Sequence, residues 1–317
     1  MTVHTNHKKV AIVTGSSSGI GLETVLTLAQ NGFITYATMR NPDKVPDILE
    51  DAKRKMNLPI EVMQLYVSND NSTQQAISFI AKKEGQINLL VNNAGYTQLG
   101  AIEDLDSEEV AAQFNTNVFG VFRTIKEVVP IMRNQRSTTG STIINIGSAN
   151  GFFGVPCASA YVATKFALER VTQSLRYELA PFGIKVSIIE PRAINTDVAT
   201  RNMFLPKKII EQQQPQRQLR SPPMQEEEKS KEDNNMMPII SSSPFAEMAK
   251  VIMEKSKAAV ANGSHPKLVA EMVVRIYETQ KPEWRYFAGD DSEKLFEARR
   301  QMSDDEFEKF LYKLFSA

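Results

Sequence analysis

The stretch Val10-Ala-Ile-Val-Thr-Gly-Ser-Ser-Ser-Gly-Ile-Gly21 decides the fold of this chain. A short apolar run ends in a glycine-rich turn, and the turn opens at once into a helical segment, Leu22–Gln30. Glycines permit a tight turn and a close approach of the backbone to a pyrophosphate, whose charge is favoured by a helix N-terminus. Strand, glycine turn and helix in this order predict a dinucleotide-binding unit.

The region after this turn alternates short apolar runs with longer amphipathic segments. Runs of this kind, separated by helices, are typical of strands in a parallel sheet that is covered on both faces. Right-handed crossovers then give an α/β fold with a doubly wound parallel sheet, the Rossmann fold, with helices on both faces. The predicted strands are Val10–Thr14, Ile34–Met39, Ile60–Leu65, Ile87–Val91, Thr142–Ile146 and Val186–Ile189.

Turn and capping residues mark the ends of the predicted helices. Asn31-Gly32 predicts the end of the first helix. Asp70 or Ser72 can cap the helix that contains Gln74–Glu84. The longest helical segment in the second half of the alternating region is Ser159–Pro181.

Composition and charge bound the class of protein. A chain of 317 residues with 42% apolar residues can bury a large core, and its net charge of zero does not favour nucleic acid or an acidic membrane as partner. Cys157 is the single cysteine, which excludes an internal disulfide, and His4, His7 and His265 have no zinc-ligand spacing, so we expect no metal site. The polar start carries no signal or membrane-spanning run, which favours a soluble cytoplasmic protein without a transmembrane segment.

A polar segment interrupts the second half of the chain. Residues 211–235 are rich in Gln, Glu, Lys and Pro and cannot bury enough apolar surface to order themselves. Inside a compact domain, such a segment is either a disordered insertion or an active-site lid that a ligand orders; a third interpretation is a site that recruits a partner protein. After it, Ser264 and Pro266 are helix start signals, and Trp284–Gly289 predicts a last strand in the same domain.

These patterns predict a single Rossmann-fold domain over residues 1–317. Residues 8–197 form its cofactor-binding and catalytic core. Residues 198–245 form the lid or disordered insertion, and residues 246–317 supply C-terminal helices and the last strand.

The residues after the second strand indicate which dinucleotide binds. In a dinucleotide fold this strand end presents the residue that reads the adenosine ribose. An acid there would accept a hydrogen bond from the 2′-hydroxyl of NAD, but this chain has Met39-Arg40-Asn41. Arg40 can pair with a 2′-phosphate, and Ser17 or Ser18 can add a donor, so we expect NADP, with NAD as the alternative.

Tyr161 and Lys165 lie four residues apart in a predicted helix. This spacing places both side chains on one face, with about 5–6 Å between their Cβ atoms. A cation next to a phenol favours the phenolate, which makes the phenol a better acid–base group near neutrality. A packed tyrosine beneath a solvated lysine has the same spacing, so the pair alone does not decide between catalysis and packing.

Several motifs together resemble those of the short-chain dehydrogenase/reductase family, over about Lys8 to Asp197. The separation of Ser148 and Tyr161 by thirteen positions is also that of the family. The segment Tyr36–Arg40 is similar to that of hydroxysteroid and retinol dehydrogenases of this family. The motifs are Thr14–Gly21, Asn92–Gly95, Asn117–Gly120, Ile146–Ser148 and Tyr161–Lys165.

The resemblance implies an NADP(H)-dependent oxidoreductase that interconverts a carbonyl and a primary or secondary alcohol of a small molecule, and a homodimer or homotetramer. It implies that Tyr161 exchanges a proton with the substrate oxygen and that Ser148 polarises this oxygen. Lys165 would hold the nicotinamide ribose, and Asn117 would anchor a water that continues the proton relay. The implied cofactor contacts are Gly15, Ser17, Ser18, Gly19, Ile20, Gly21, Arg40, Val67, Asn93, Ala94, Gly95, Tyr161, Lys165, Pro191 and Thr196.

Three positions depart from the family pattern. Arg192 follows Pro191 where the family usually has glycine, and this cation either shapes specificity or points outward. Tyr66-Val67 stands where an aspartate commonly meets the adenine, so we expect the backbone at Val67 to hold the adenine and Tyr66 to be a doubtful contact. Gly147 replaces a frequent serine, a change without expected consequence.

The residues expected near the substrate are mostly apolar, which suits a lipophilic alcohol or ketone. Cys157 has no histidine near it in sequence, so we expect a small wall residue rather than a nucleophile. The alternative from another class is a catalytically silent dinucleotide-binding regulator or scaffold, against which the intact catalytic set argues. The expected pocket residues are Tyr96, Gln98, Phe152, Phe153, Val155, Arg192, Met203, Phe204 and Leu205.

Overall fold

The computed structural model describes residues 8–135, 140–196, 202–207, 243–289 and 291–316. The predicted polar segment, residues 211–235, lies outside these ranges, as does most of the region 198–245. In chain order, the strands are β1 (Lys9–Thr14), β2 (Phe33–Met39), β3 (Ile60–Gln64), β4 (Leu89–Asn92), β5 (Thr97–Gln98), β6 (Ser141–Ile146), β7 (Ile184–Pro191), β8 (Met203–Phe204) and β9 (Arg285–Ala288).

Seven of these strands form one parallel sheet in the order β3-β2-β1-β4-β6-β7-β9. The strand order reverses between β1 and β4, which is the arrangement of a doubly wound sheet. The last strand adds to the β7 edge and returns the C-terminal region to the same sheet. The predicted α/β fold, a Rossmann-type single domain, is therefore confirmed. The short strands β5 and β8 pair separately.

Helices cover both faces of the sheet. Buried side chains of α1, α2 and α8 pack on one face, and those of α3, α5 and α6 pack on the other. The bounds of the helices are α1 Gly19–Gln30, α2 Asp47–Lys55, α3 Asp70–Glu84, α4 Ser107–Phe114, α5 Gly120–Asn134, α6 Ser159–Leu179, α7 Ala246–Ala261, α8 Lys267–Glu278, α9 Ser292–Gln301 and α10 Asp304–Ser316.

The central strand β1 shows why the runs are apolar throughout. Ala11 and Val13 belong to the core beneath α1 and α8, whereas Val10 and Ile12 belong to the core beneath α3 and α5. All four side chains are fully buried. Burial of a valine or isoleucine side chain is worth about 1.5–3 kcal/mol, so both faces of the strand contribute to stability.

The helix ends agree with the turn signals in one case and differ in another. The first helix ends at Asn31-Gly32 as predicted, and Gly32 has a φ of 79°. The predicted cap at Asp70 or Ser72 is wrong, because Asn69 has the extended backbone of a cap and its side chain accepts a hydrogen bond from Ser72 N at 2.8 Å. Asp70 is already helical.

A chain of buried amides and hydroxyls joins α5, β4, β6 and α6. Thr124 Oγ1 donates to Asn92 Oδ1 at 2.7 Å, and Asn92 Nδ2 donates to Asn145 Oδ1 at 2.9 Å. Asn145 Nδ2 in turn donates to Thr172 Oγ1 at 2.9 Å, and this hydroxyl donates to the Leu168 carbonyl. The first four side chains are at most 4% exposed, so each group depends on its neighbour for a partner.

A buried ionic cluster joins α6, β7 and β9. Arg285 Nε donates to Glu169 Oε1 at 2.9 Å and lies 3.4 Å from Glu190 Oε2. Arg170 adds a second cation on Glu169 at 2.8 Å. Burial, followed by the nearby Glu169 carboxylate, raises the pKa of Glu190 from 4.5 to about 10. Burial opposes ionisation of Glu169 too, but hydrogen bonds from Glu190 and Arg285 and the charges of Arg285 and Arg170 outweigh it and lower the pKa of Glu169.

Glu190→Gln is expected to flatten the dependence of stability on pH. A carboxyl whose pKa is raised on folding binds a proton more tightly in the native state, so its contribution is complete below about pH 4.5 and is lost as the pH rises towards about 10. Thermal melts from about pH 6 to about pH 9 should show a smaller fall in Tm for the variant than for wild type. Equal falls in both proteins would contradict this assignment, and Glu297→Gln, on an exposed position of α9, is the control.

The two C-terminal helices pack on the loop that follows β6. Phe153 and Phe307 are each 5% exposed in an apolar cluster that also includes Leu295. The ring of Phe152 lies edge-on to the ring of Phe296, with centroids 5.3 Å apart. This cluster places α10 next to the carboxyl ends of the central strands.

Candidate active site

A cavity of about 500 Å³ lies at the edge of the sheet where the parallel strands end. Its walls come from the turns after β1, β4, β6 and β7, and from α6, α7 and α10. Doubly wound sheets bind their ligands at this edge, next to the point where the strand order reverses.

The glycine turn after β1 is held by the turn after β4. Thr14 Oγ1 accepts hydrogen bonds from Asn93 N and Ala94 N, each at 3.0 Å, and Asn93 Nδ2 donates to the carbonyls of Thr14 and Gly15. Gly15 has a φ of 66°, and a Cβ there would lie 2.7 Å from Ala94 Cα. A Cβ at Gly21 would overlap Asn93 Nδ2. Side chains at these positions would therefore separate the two turns.

The residues predicted to contact a cofactor line the cavity, except Gly21, which lies behind the turn. Arg40 is exposed in the wall, and its carbonyl accepts a hydrogen bond from Gln64 Nε2 at 2.9 Å. Ser18 is the N-cap of α1, and its hydroxyl makes no capping bond to the described helix. Tyr66, which sequence reasoning left in doubt, also lies in the wall.

The spacing of Tyr161 and Lys165 places both side chains in the cavity wall on α6. Lys165 is buried, its Nζ donates to the Ile146 carbonyl at 3.1 Å, and it lies 5.7 Å from the centre of the Tyr161 ring. The end of β6 therefore fixes the ammonium beside the phenol.

Ser148 lies in the same wall, directly after β6. It caps the short helical turn Ala149–Gly151, because its Oγ accepts a hydrogen bond from Asn150 N at 3.2 Å. With an acceptor position used in this way, the hydroxyl proton is available to a ligand.

Asn117 does not line the cavity. It lies in a π-helical turn, Asn115–Phe119, that connects α4 to α5. Its amide donates to the Tyr96 carbonyl at 2.9 Å and to Thr164 Oγ1 at 3.2 Å, and its Oδ1 accepts from Tyr96 N. Thr164 Oγ1 donates to the Tyr161 carbonyl at 2.7 Å, a link that no sequence motif indicated.

The wall beyond these groups is largely apolar. Of the predicted pocket residues, Gln98, Phe152 and Leu205 are not in the lining. Cys157 is buried behind the wall, and burial, with the charge of Asp104, raises the pKa of its thiol. The predicted pocket residues that do line the cavity are Tyr96, Phe153, Val155, Arg192, Met203 and Phe204.

Sequence reasoning missed the contribution of the C-terminal helices. From α7, Ile252, Lys255 and Val260 reach the cavity, and from α10, Leu314 and Phe315 do so. These residues are more than fifty positions beyond the last motif, and the apolar periodicity of their helices is the same as that of ordinary packing helices. Only the fold brings them to the site.

The described residues also bear on two other kinds of function. No group of three His, Cys, Asp or Glu side chains is placed there to hold a metal ion. In the same part of the chain, no helix is long and apolar enough to cross a membrane.

Comparisons with known proteins agree with this geometry. The oxidoreductase YusZ of Bacillus subtilis, described as uncharacterized, is 42% identical over 195 residues, which are 61% of this chain and 67% of its own. The 3-ketodihydrosphingosine reductase of Bacteroides thetaiotaomicron is 29% identical and aligns over 98% of both chains. A solved short-chain dehydrogenase of Streptomyces avermitilis is 25% identical and superposes with a TM-score of 0.72, covering 98% of this chain and 97% of its own.

A family model described as short chain dehydrogenase matches residues 9–203, which is more than half of the chain. This range includes the glycine turn, Ser148, Tyr161 and Lys165. The protein therefore belongs to the short-chain dehydrogenase family, oxidoreductases that act on alcohols and carbonyl compounds with NAD(P).

Proposed function

We propose that the protein is an NADP(H)-dependent oxidoreductase that interconverts a carbonyl and an alcohol of a lipophilic substrate, with Tyr161 as its acid–base residue. The observation that supports this most is that Ser148, Tyr161 and Lys165 line the same cavity as the glycine turn Gly15–Ile20. One cavity thus holds groups for a dinucleotide and groups for a reacting oxygen.

The glycine turn has the space and the donors that a dinucleotide requires. Gly19 has a φ of 57°, and a Cβ there would lie 3.2 Å from the Thr196 Cβ, so the absent side chain leaves an open cradle at the start of α1. Main-chain N–H groups at a helix N-terminus bind phosphate. Arg40 is the residue that we assign to the 2′-phosphate. When bound, the nicotinamide donates or accepts the hydride.

The protein's own residues then handle the proton and the substrate oxygen. Ser148 donates its hydroxyl proton to this oxygen, and Tyr161 gives a proton to it in reduction or takes one in oxidation. Lys165, fixed by the Ile146 carbonyl, keeps a positive charge beside the phenol and has two further N–H groups for a ribose.

Asn117 acts in this scheme as a positioning residue. Both hydrogens of its amide are used, by the Tyr96 carbonyl and Thr164, so a water at Asn117 would bind its main-chain carbonyl. A π-helical turn disturbs the regular pairing of carbonyls, and such turns occur frequently at functional sites. Asn117 also braces Tyr161 through Thr164.

A lipophilic substrate is supported by the wall of Phe153, Val155, Met203, Phe204 and Ile252. The name of the Bacteroides relative gives a lipid ketone as the compound that it reduces. The direct test is a screen of purified protein with NADPH against aldehydes, diketones, steroids and long-chain ketones. Turnover confined to small polar carbonyls would contradict the lipophilic assignment.

Arg40→Asp is expected to weaken NADPH binding by about 10–100-fold, because a charge-assisted contact to phosphate contributes about 1.5–3 kcal/mol. An aspartate at this position can accept a hydrogen bond from a ribose hydroxyl, so NADH affinity should rise. Fluorescence titration of both cofactors measures the change. Arg54→Asp, on the exposed face of α2, is the matched control. An unchanged NADPH to NADH ratio in Arg40→Asp would refute the assignment.

We also infer a homodimer or homotetramer formed through the helices that carry Asn117 and Tyr161. Phe119, Phe122 and Phe166 are about half exposed on the surface of these helices, which supports an apolar contact there. The cytoplasmic location stays a prediction from the sequence.

A further inference from the structure

The charged side chains in the described cavity lining are all cationic. Among the described residues, four cationic side chains line it and no acidic side chain does. Arg40 and Lys165 are assigned above to the cofactor. The two cations that remain are Arg192 and Lys255.

Within the described residues, the donors of the Arg192 guanidinium are unused. Its main-chain N donates to the Ala288 carbonyl at 2.8 Å, which fixes its backbone at the end of β7. Its guanidinium is half-buried and makes no hydrogen bond or ion pair with the described residues. Burial lowers the pKa of Arg192, opposed by the charge of Asp291 at the start of α9. A guanidinium in this environment is stabilised by an anion that enters the cavity.

Lys255, unlike Arg192, makes a hydrogen bond with another described residue. Its Nζ donates to the Phe315 carbonyl at 3.1 Å, which ties α7 to the last turn of α10. The lysine thus has a structural partner, whereas Arg192 has none in the described part of the chain. The apolar side chains Ile252 and Val260, from the same helix as Lys255, complete this wall together with Leu314.

We propose that the substrate carries a carboxylate, which Arg192 binds, and an apolar chain, which packs against the α7 and α10 side chains Ile252, Val260 and Leu314. This inference rests on the proposed function and names the class of its substrate. A planar guanidinium matches a carboxylate with two parallel hydrogen bonds. A cationic amine would instead meet the like charges of Arg192 and Lys255, which disfavours an amine-bearing substrate. A cofactor phosphate is the other source of an anion, and the experiment separates the two sources.

Calorimetric titration of the NADPH-saturated protein with octanoate and with octan-1-ol tests the proposal, because the two probes share the chain and differ in charge. Wild type should bind octanoate at least about tenfold more tightly than octan-1-ol. Arg192→Gln should remove this preference, and Arg192→Lys should keep part of it. Arg275→Gln, at an exposed arginine of α8 outside the cavity lining, is the control and should leave the preference within about threefold.

Each other outcome overturns the proposal. Equal affinity of the two probes for wild type, or an unchanged preference in Arg192→Gln, would exclude a carboxylate subsite at Arg192. If Lys255→Met loses the preference for octanoate and Arg192→Gln keeps it, the carboxylate subsite is at Lys255 and not at Arg192. If Arg192→Gln weakens NADPH binding about tenfold and leaves octanoate unchanged, the anion is a cofactor phosphate. Binding of the two probes requires no turnover, and the titrations are repeated without NADPH. Failure of the proposed oxidoreductase function would therefore be seen separately, as absence of NADPH binding and of carbonyl reduction.

Discussion

Tyr161→Phe is expected to lower kcat for carbonyl reduction by about 10²–10⁴-fold, the usual contribution of a positioned acid–base group. The variant removes one oxygen from a side chain in the cavity wall and leaves Lys165 tied to the Ile146 carbonyl. Binding of NADPH should therefore persist. Initial rates with the best carbonyl substrate of the screen, together with cofactor titration, separate loss of chemistry from loss of binding.

Tyr177→Phe is the matched control for this variant. Tyr177 lies on the same helix, α6, but is 70% exposed and away from the cavity lining. Its kcat should equal that of wild type. If Tyr161→Phe retained wild-type turnover, the proposed role of the phenol would be wrong. A wild-type protein that binds NADPH but reduces no carbonyl would instead support the silent regulator that the sequence left as an alternative.

Arg285→Ala is expected to give the largest loss of stability, about 3–5 kcal/mol in the free energy of unfolding, because it leaves a buried carboxylate without its main cation. Glu169 is 1% exposed, and Arg285 contacts it with two nitrogens. Glu190 on β7 loses its nearest cation in the same substitution. Urea unfolding monitored through Trp284, whose ring lies 4.0 Å from the guanidinium carbon, and by circular dichroism measures the effect.

Arg299→Ala is the control, because it measures the loss of stability that follows from removing a surface arginine. Arg299 pairs with Asp304, a residue with 88% of its side chain exposed, and such surface pairs contribute only about 0–1 kcal/mol. The double variant Arg285→Ala with Glu169→Gln should recover part of the lost stability, since the uncompensated charge is removed. A similar, small loss in both arginine variants would show that the cluster is not a stabilising unit.

The sequence predicted the sheet well because its five inner strands are buried on both faces. Such strands read as continuous apolar runs, and their ends are shifted by at most two residues in the structure. The local motifs also predicted which side chains meet at the carboxyl edge, since parallel strands end at one edge of the sheet. Ser148 and Tyr161 are separated along the chain but line one cavity.

Contacts between residues that are far apart along the chain could not be predicted from the sequence. The approach of Arg285 to Glu169 spans 116 positions, and neither residue has a neighbour that indicates the other. The cap at Asn69 was missed because Ser68–Thr73 is an unbroken run of polar residues, and only the backbone angles decide which of them is the cap. The role of α10 in the cavity depends on an aromatic cluster whose members come from distant segments.

The buried chain of hydrogen bonds from Thr124 through Asn92 and Asn145 to Thr172 has an evolutionary consequence. Each member is donor to the next, so replacing one of them leaves a buried polar atom unpaired, at a cost of about 1–3 kcal/mol. Replacing neighbouring members together by apolar residues of similar shape avoids that cost. Among relatives, these four positions should therefore change in concert, as a coevolving unit that ties together two strands and two helices and lies outside the cavity lining.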